Sequence, residues 1–440
     1  MNQPQPSDTD PLVSGREVRT ELSSARRNAT LGILAVVGAL NLIDRQIFSI
    51  FMPQIGEDLN INHQQLGLVA GLSFSVFYVL AAFPIARLAD RGDRPLIISI
   101  CVAVWSLSTA ACAFAGSMVQ LILLRIGLAA GEGGAGPAAQ SLALDIFPVE
   151  RRAFVLGVLV AAGSLGLGAG GAIGGWLSQW LDWRESLIAV GLPGLLVAAA
   201  AWLWAGEPRR IGARTLQAPP AIPLGEVVRT ILYSPTMVWF ALTTLLVTLV
   251  GFPFVIWVGS FYQIVHGMTP MEAGAALFLP LAGGLMTGQL LSGWLGDHIA
   301  KGRPKGYGRI AAVGLIIAFP LGLAAAQAAS APVSLIFFFC FQVAISMQQP
   351  VLYALAFSKV RPTERAMLGA FINLVTTLCG LGAGTWLVGA LSTGFAERYG
   401  DLSLRYALTA VCFTLPLAAA CALMAGRAAS AADDRAQGAS

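Results

Sequence analysis

Charge is scarce in this 440-residue chain: Asp, Glu, Lys and Arg make up 11% of it, against 56% hydrophobic residues. A water-soluble globular fold has no way to hide that much apolar surface, so that class is excluded. Histidine is scarcer still. His63, His266 and His298 are the three present, widely spaced and near the edges of apolar segments, which leaves no nucleophile with a base and no ligand cluster for an enzyme site. The six cysteines, Cys101, Cys112, Cys340, Cys379, Cys412 and Cys421, all lie in apolar runs without C-x-x-C spacing, and are read as packing residues rather than disulfides or metal ligands. No P-loop occurs, and Gly166-x-Gly168-x-Gly170 sits in an apolar run with no preceding strand, so neither nucleotide energy nor a dinucleotide is expected. The expectation is a chain with no cofactor, no metal and no nucleic-acid partner.

What the chain has is apolar runs of membrane-crossing length. Spanning ~30 Å of hydrocarbon takes roughly 20 mostly apolar residues. Such segments fall near 29–52, 64–89, 95–115, 118–146, 153–180, 185–205, 235–263, 271–296, 309–330, 332–359, 365–395 and 402–426. Lipid-exposed backbone must satisfy its own hydrogen bonds, so these runs predict twelve transmembrane helices in an all-α polytopic protein. Arg184, Arg398 and Arg405 are the basic residues of the odd-numbered loops. Those of the even loops and both tails are far more numerous, which places both termini in the cytoplasm of a protein expected in an inner membrane. The polar stretch 1–28 lacks the apolar core of a signal peptide and reads as a cytoplasmic tail, as does 427–440.

The longest hydrophilic break runs from Gly206 to about Arg229 and carries four prolines. It predicts a linker over 206–234 between six-helix bundles at 29–205 and 235–426. The bundles also repeat. Pro148-Val149-Glu150-Arg151 and Gly168-Ala169-Gly170 recur 214 residues later as Pro362-Thr363-Glu364-Arg365 and Gly382-Ala383-Gly384. Arg87-Leu88-Ala89-Asp90-Arg91 is echoed by Gly293-Trp294-Leu295-Gly296-Asp297-His298. Internal duplication of this kind belongs to transporters that rock two bundles about a central site.

Ala86-Arg87-Leu88-Ala89-Asp90-Arg91-Gly92-Asp93-Arg94 resembles the loop signature of the major facilitator superfamily, with alanine in place of its first glycine. Asn41-Leu42-Ile43-Asp44-Arg45-Gln46-Ile47, Arg125-Ile126-Gly127-Leu128-Ala129-Ala130-Gly131-Glu132-Gly133 and Ser141-Leu142-Ala143-Leu144-Asp145-Ile146-Phe147-Pro148 resemble its bacterial spinster-like branch. The resemblance implies two pseudo-symmetric six-helix bundles and, from spinster relatives, a lysolipid or sphingosine-phosphate-like solute. Anion:cation symporters of the superfamily share the Asp-Arg pair of the first helix, and a small organic anion is the competing solute. The resemblance also implies that Asp90, with Arg91 and Arg94, latches the cytoplasmic side shut, with Asp145, Glu150 and Arg151 as partners. A solvated cluster that serves only topology is the alternative.

Arg45 and Arg125 fall inside spans, as do Asp44 and Glu132. Asp44 and Glu132 each lie about 21–22 Å up their helices at ~1.5 Å per residue. Solitary charges at that depth are costly, so the four are expected to pair, with Glu132 taking Arg125 two turns away on its own helix and Asn41 completing the cluster. Burial favours a carboxylate's neutral form and a nearby arginine favours the anion. Asp44 and Glu132 as proton carriers, with Arg125 as their switch, would couple protons to transport; static ion pairs between the first and fourth helices are the other reading. The glycine-rich stretch around Glu132 is expected to weaken its helix. Gly166, Gly170, Gly174 and the pair Gly67, Gly71 allow close helix approach within a bundle or between bundles. The second half offers amides, hydroxyls and aromatics, among them Gln348, Asn373, Thr376, Tyr353 and Trp257, which with Arg45 and Asn41 would line an amphipathic solute's cavity. The partners expected are that solute, protons and membrane lipids, with the protein acting as a monomer.

Overall fold

The computed structural model describes residues 22–208, 233–361 and 364–438, and all structural statements concern these. Most of the expected linker and the first 21 residues lie outside them. Every described element is helical. We number the crossings α1 (Ser24–Asp58), α2 (63–91), α3 (Arg94–Cys112), α4 (Met118–Ile146), α5 (Arg152–Leu177), α6 (Trp183–Trp204), α7 (Pro235–His266), α8 (270–300), α9 (Pro304–Gln327), α10 (331–358), α11 (365–399) and α12 (403–438). Eleven stretches are long and apolar enough to cross a membrane, the last of them, Met367–Arg435, containing both α11 and α12. The protein is a multi-pass membrane protein of the twelve-helix type.

Local chemistry sets the helix ends. Asp93 caps α3 by accepting from the Leu96 amide, and Asp182 with Glu185 and Thr269 with Glu272 form capping boxes at α6 and α8. Gly400, at φ 54°, turns the chain between α11 and α12. Two expectations need correction. α4 is continuous through Gly131–Gly136 and Pro137: Gly131 admits the Cys101 and Trp105 backbone of α3, and Gly133 the Tyr78 backbone of α2, so the glycines serve packing rather than a break. α12 runs on to Gly438 instead of ending near 426, because its alanine-rich end is a strong helix former and Lys359 pairs with Asp433.

Helix contacts repeat with a step of six: α1 on α5, α2 on α4, α3 on α4 and on α6 recur as α7 on α11, α8 on α10, α9 on α10 and on α12. The first and last six helices meet along α1–α7, α2–α11 and α5–α8. These contacts lie on the membrane side opposite the chain termini, here the far side. Hydrogen bonds there run from Gln46 to the Val255 carbonyl (3.4 Å), Gln263 to the Ile50 carbonyl (2.8 Å), the Gln64 amide to Thr393 (3.0 Å), between His63 and Ser392 (2.8 Å), and from Ser49 to the Ile256 carbonyl. No hydrogen bond or ion pair among the described residues joins the two sets of helices on the terminal side. Gly32, Gly136, Gly157, Gly293 and Gly369, in the terminal-side halves of their helices, face open space. The two sets of helices are thus closed against each other on the far side.

The glycine rows divide by partner. Gly166, Gly170 and Gly174 pack on Ala39, Ile43 and Ile47 of α1, within the first six helices. Gly67 and Gly71 pack on α11, and a row the sequence did not single out, Gly168, Gly171 and Gly175, packs on α8. A side chain at Gly71 would meet the Leu381 and Gly382 carbonyls at 2.7 and 2.9 Å. Gly71→Val should therefore part α2 from α11 and raise, several-fold, far-side labelling of a cysteine placed at Gln46 by an impermeant thiol reagent. Gly136→Ala should leave labelling unchanged. Equal labelling in both variants and the parent would show that glycine packing does not hold the far side shut.

Candidate functional site

Four charges meet between α1, α3 and α4, just below the far-side closure. Asp44, Arg125 and Glu132 are 6%, 4% and 1% exposed, so each must find its compensation inside the protein. Arg45 Nε and Nη2 both donate to Glu132 Oε2, at 2.8 and 2.7 Å. Its guanidinium also lies over the rings of Phe74 and Tyr78, 4.9 and 5.2 Å from their centroids. Asp44 Oδ2 accepts from Thr109 of α3 at 3.3 Å. Among the described residues Arg125 makes no ion pair. Its Nε donates to the Val69 carbonyl at 3.2 Å, and its guanidinium stacks over Phe48 at 3.8 Å.

This pairing departs from the expected one. Seven residues along α4 separate Arg125 from Glu132 by about 10.5 Å of rise, and in this conformation Arg45 reaches Glu132 across the helix interface instead. Arg45, expected as a solute ligand, is therefore committed to Glu132 in this conformation. Asn41 lies beside Glu132 across the α1–α4 interface. A void of about 10 Å³ lies against Arg45, Arg125, Phe48, Phe74, Ile256 and Leu381, room for about one water. Ile256 and Leu381 belong to α7 and α11, so the charge cluster abuts the meeting of the two sets of helices.

The residues expected on the opposite wall fare unevenly. Gln289 donates to Gln349 at 2.8 Å, beside Tyr353, whose ring packs edge-on to Phe240. Gln348 is half-buried and makes no side-chain hydrogen bond among the described residues, and Asn373 is exposed. The Thr376 hydroxyl turns back to its own helix, donating to the Ile372 and Asn373 carbonyls. Trp257 is a correction: it is fully buried in the far-side closure, its indole donating to the Thr385 carbonyl at 3.0 Å with His63 edge-on at 5.5 Å. An indole so committed contributes packing to the closed side and no free donor to a cavity.

A family model for the Major Facilitator Superfamily matches residues 34–385. The chain belongs to the major facilitator superfamily. A solved bacterial homolog of the human lysosomal transporter Spinster, inward-facing and unoccupied, superposes with a TM-score of 0.81 at 28% identity, covering 92% of this chain and 98% of that one. An MFS-type efflux pump of Mycolicibacterium smegmatis is 27% identical over 387 residues, 86% of this chain and 88% of the pump. A hexuronate transporter of Bacillus subtilis is 27% identical over 274 residues, 61% of this chain and 64% of its own. Within the superfamily the chain is a transporter of the spinster type.

The superfamily loop between α2 and α3 holds a second buried charge. Arg94, with no exposed surface, donates to Glu207 at 2.9 and 2.7 Å, to Asp145 at 2.5 Å and to Ser141 at 3.2 Å. These partners sit on α4 and just past α6, so Arg94 and Asp145 staple the first six helices to one another and do not bridge to the last six. Arg91, Glu150 and Arg151 are exposed and make no ion pair among the described residues, and the Asp90 side chain lies outside the description. Glu207 was not singled out because it opens what reads as a linker; its one signal is a lone acid directly after an apolar span. Breaking a buried pair from one side costs about 3–5 kcal/mol. Arg94→Ala should accordingly lower the thermal unfolding midpoint in detergent strongly, and Arg91→Ala should not. Matching midpoints would show that the staple contributes nothing to stability.

Proposed function

We propose that the protein is a proton-coupled secondary transporter that moves an amphipathic, lipid-like solute by alternating access. The reading rests on one observation above all, the buried Arg45–Glu132 ion pair with Asp44 as its sequence neighbour and Arg125 unpaired nearby. Two acids and two arginines share one low-dielectric site with a single ion pair made, so protonation of a carboxylate and exchange of its arginine are linked events. Arg45 replaces Arg125 as the immediate switch on Glu132, because Arg45 makes the contact. Arg125 is then the second cation, available to either acid once the helices move.

The charge bias of the loops puts the terminal side in the cytoplasm. In that orientation the conformation described is shut on its outer side, with both termini cytoplasmic. Charge on the first wall and amides with aromatics on the second suit a solute with an ionic head and an apolar body. A small organic anion is the second reading, favoured by the hexuronate transporter among the relatives and by the two arginines of the cluster.

Purified protein in liposomes with an internal pH dye distinguishes these. Lysophospholipid gradients should drive proton movement in the parent, and Asp44→Asn or Glu132→Gln should abolish it, with at least a roughly tenfold loss in solute-driven flux, about 1.4 kcal/mol. Response to hexuronate-like acids alone would select the anion reading. Uptake that persists in both variants with no pH signal would falsify the proton coupling.

A further inference from the structure

Arg125 is buried and without an acid, although Asp44 and Glu132 are its neighbours, and the groups that hold it are not charged. Phe48 of α1 offers its ring face at 3.8 Å, Phe74 of α2 lies at 5.4 Å, and the Val69 carbonyl of α2 takes its Nε–H. A desolvated guanidinium over an aromatic face is a favourable arrangement, stronger than the same contact in water. The carbonyl is available for a local reason. Leu68–Leu72 of α2 is wound as a π turn, and carbonyls at this turn take side-chain donors, Ser73 donating to Leu68 and Val69 and Arg125 to Val69. Wide turns of this kind recur at functional sites.

The same turn forms part of the far-side closure. Its Gly71 packs on Leu381 and Gly382 of α11, and its Ala70 shares with Arg125 and Leu381 the void between the two sets of helices. The geometry points to a holding site: Phe48 and the π turn of α2 keep the Arg125 guanidinium off Asp44 and Glu132 while α2 is shut against α11, and release it when they part. Phe48 is then a positioning residue for the charge cluster, and the π turn is the link between the cluster and the far-side gate. The charged and titratable groups around Arg125 are Asp44 and Arg45 on α1, Cys112 on α3 and Glu132 on α4; α2 faces it with Phe74 and the carbonyl, α7 and α11 with Ile256 and Leu381. The effect on proton coupling rests on the function proposed above, whereas the effect on the gate does not.

Two readouts separate these. Cysteines at Gln64 and Thr393, whose native residues touch across the closed gate, form a disulfide under mild oxidant, and its yield, read by mass spectrometry, reports closure. Phe48→Leu, which keeps the bulk and removes the ring face, should lower the yield several-fold. Phe48→Tyr should restore it. Arg125→Lys, which keeps the charge and loses both the planar stack and the Nε–H, should lower it too, and carries the test alone if Phe48→Leu does not fold. In liposome uptake, Phe48→Leu should shift the pH of half-maximal rate by about one unit, since the arginine then meets a carboxylate, and Phe48→Tyr should not. Parental yields in both Phe48→Leu and Arg125→Lys overturn the holding site. A fallen yield with uptake that is pH-independent even in the parent retains the holding site and rejects proton coupling.

Discussion

An ionised side chain within hydrocarbon depth has few partners that can compensate for lost hydration, and that constraint organises this molecule. Arg45 and Glu132 compensate each other, Asp44 takes the Thr109 hydroxyl, and Arg125 takes an aromatic face and a carbonyl. These contacts tie α1, α2, α3 and α4 together at one level. Backbone polarity obeys the same constraint, so the chain crosses as helices and can expose a free carbonyl only where a side chain waits for it, as at the π turn of α2.

The rest of the packing follows from bringing such helices close without polar glue. Where the two sets of helices meet, the contact surfaces are glycine on α2 and α5 and backbone or small residues on α11 and α8, joined by side-chain to backbone hydrogen bonds. Among the described residues that contact holds no ion pair, so it is suited to being made and broken. By contrast, Arg94 with Glu207 is a fully buried ion pair, joined by the partly exposed Asp145, inside the first six helices and suited to staying made. Those two kinds of chemistry divide the contact between the two sets of helices from the network within the first six.

Much of the candidate site was legible because intramembrane charge is rare enough to stand out: Asp44, Arg45, Arg125 and Glu132 are visible against 56% apolar background. Their partners were not legible. Sequence spacing on α4 put Arg125 beside Glu132, but Phe48 and the Val69 carbonyl take Arg125 and the α1–α4 interface supplies Arg45 instead. Trp257 carried the same polar-aromatic signal as Tyr353, yet one lies inside the far-side closure and the other beside the Gln289–Gln349 pair, a difference of helix face and depth that composition does not encode.

The sequence by itself determined that the chain is a twelve-helix membrane protein with a repeated six-helix plan, because apolar run length, loop charge and internal duplication are one-dimensional quantities set by the thickness and dielectric of the bilayer. Tertiary structure alone decided which arginine meets which acid, which glycine row faces the partner helices, and which side is shut. Those depend on helix rotation and relative depth. Both are fixed only when the helices pack together, since a turn of 100° per residue moves a side chain from lipid to cavity without changing the hydropathy of the run.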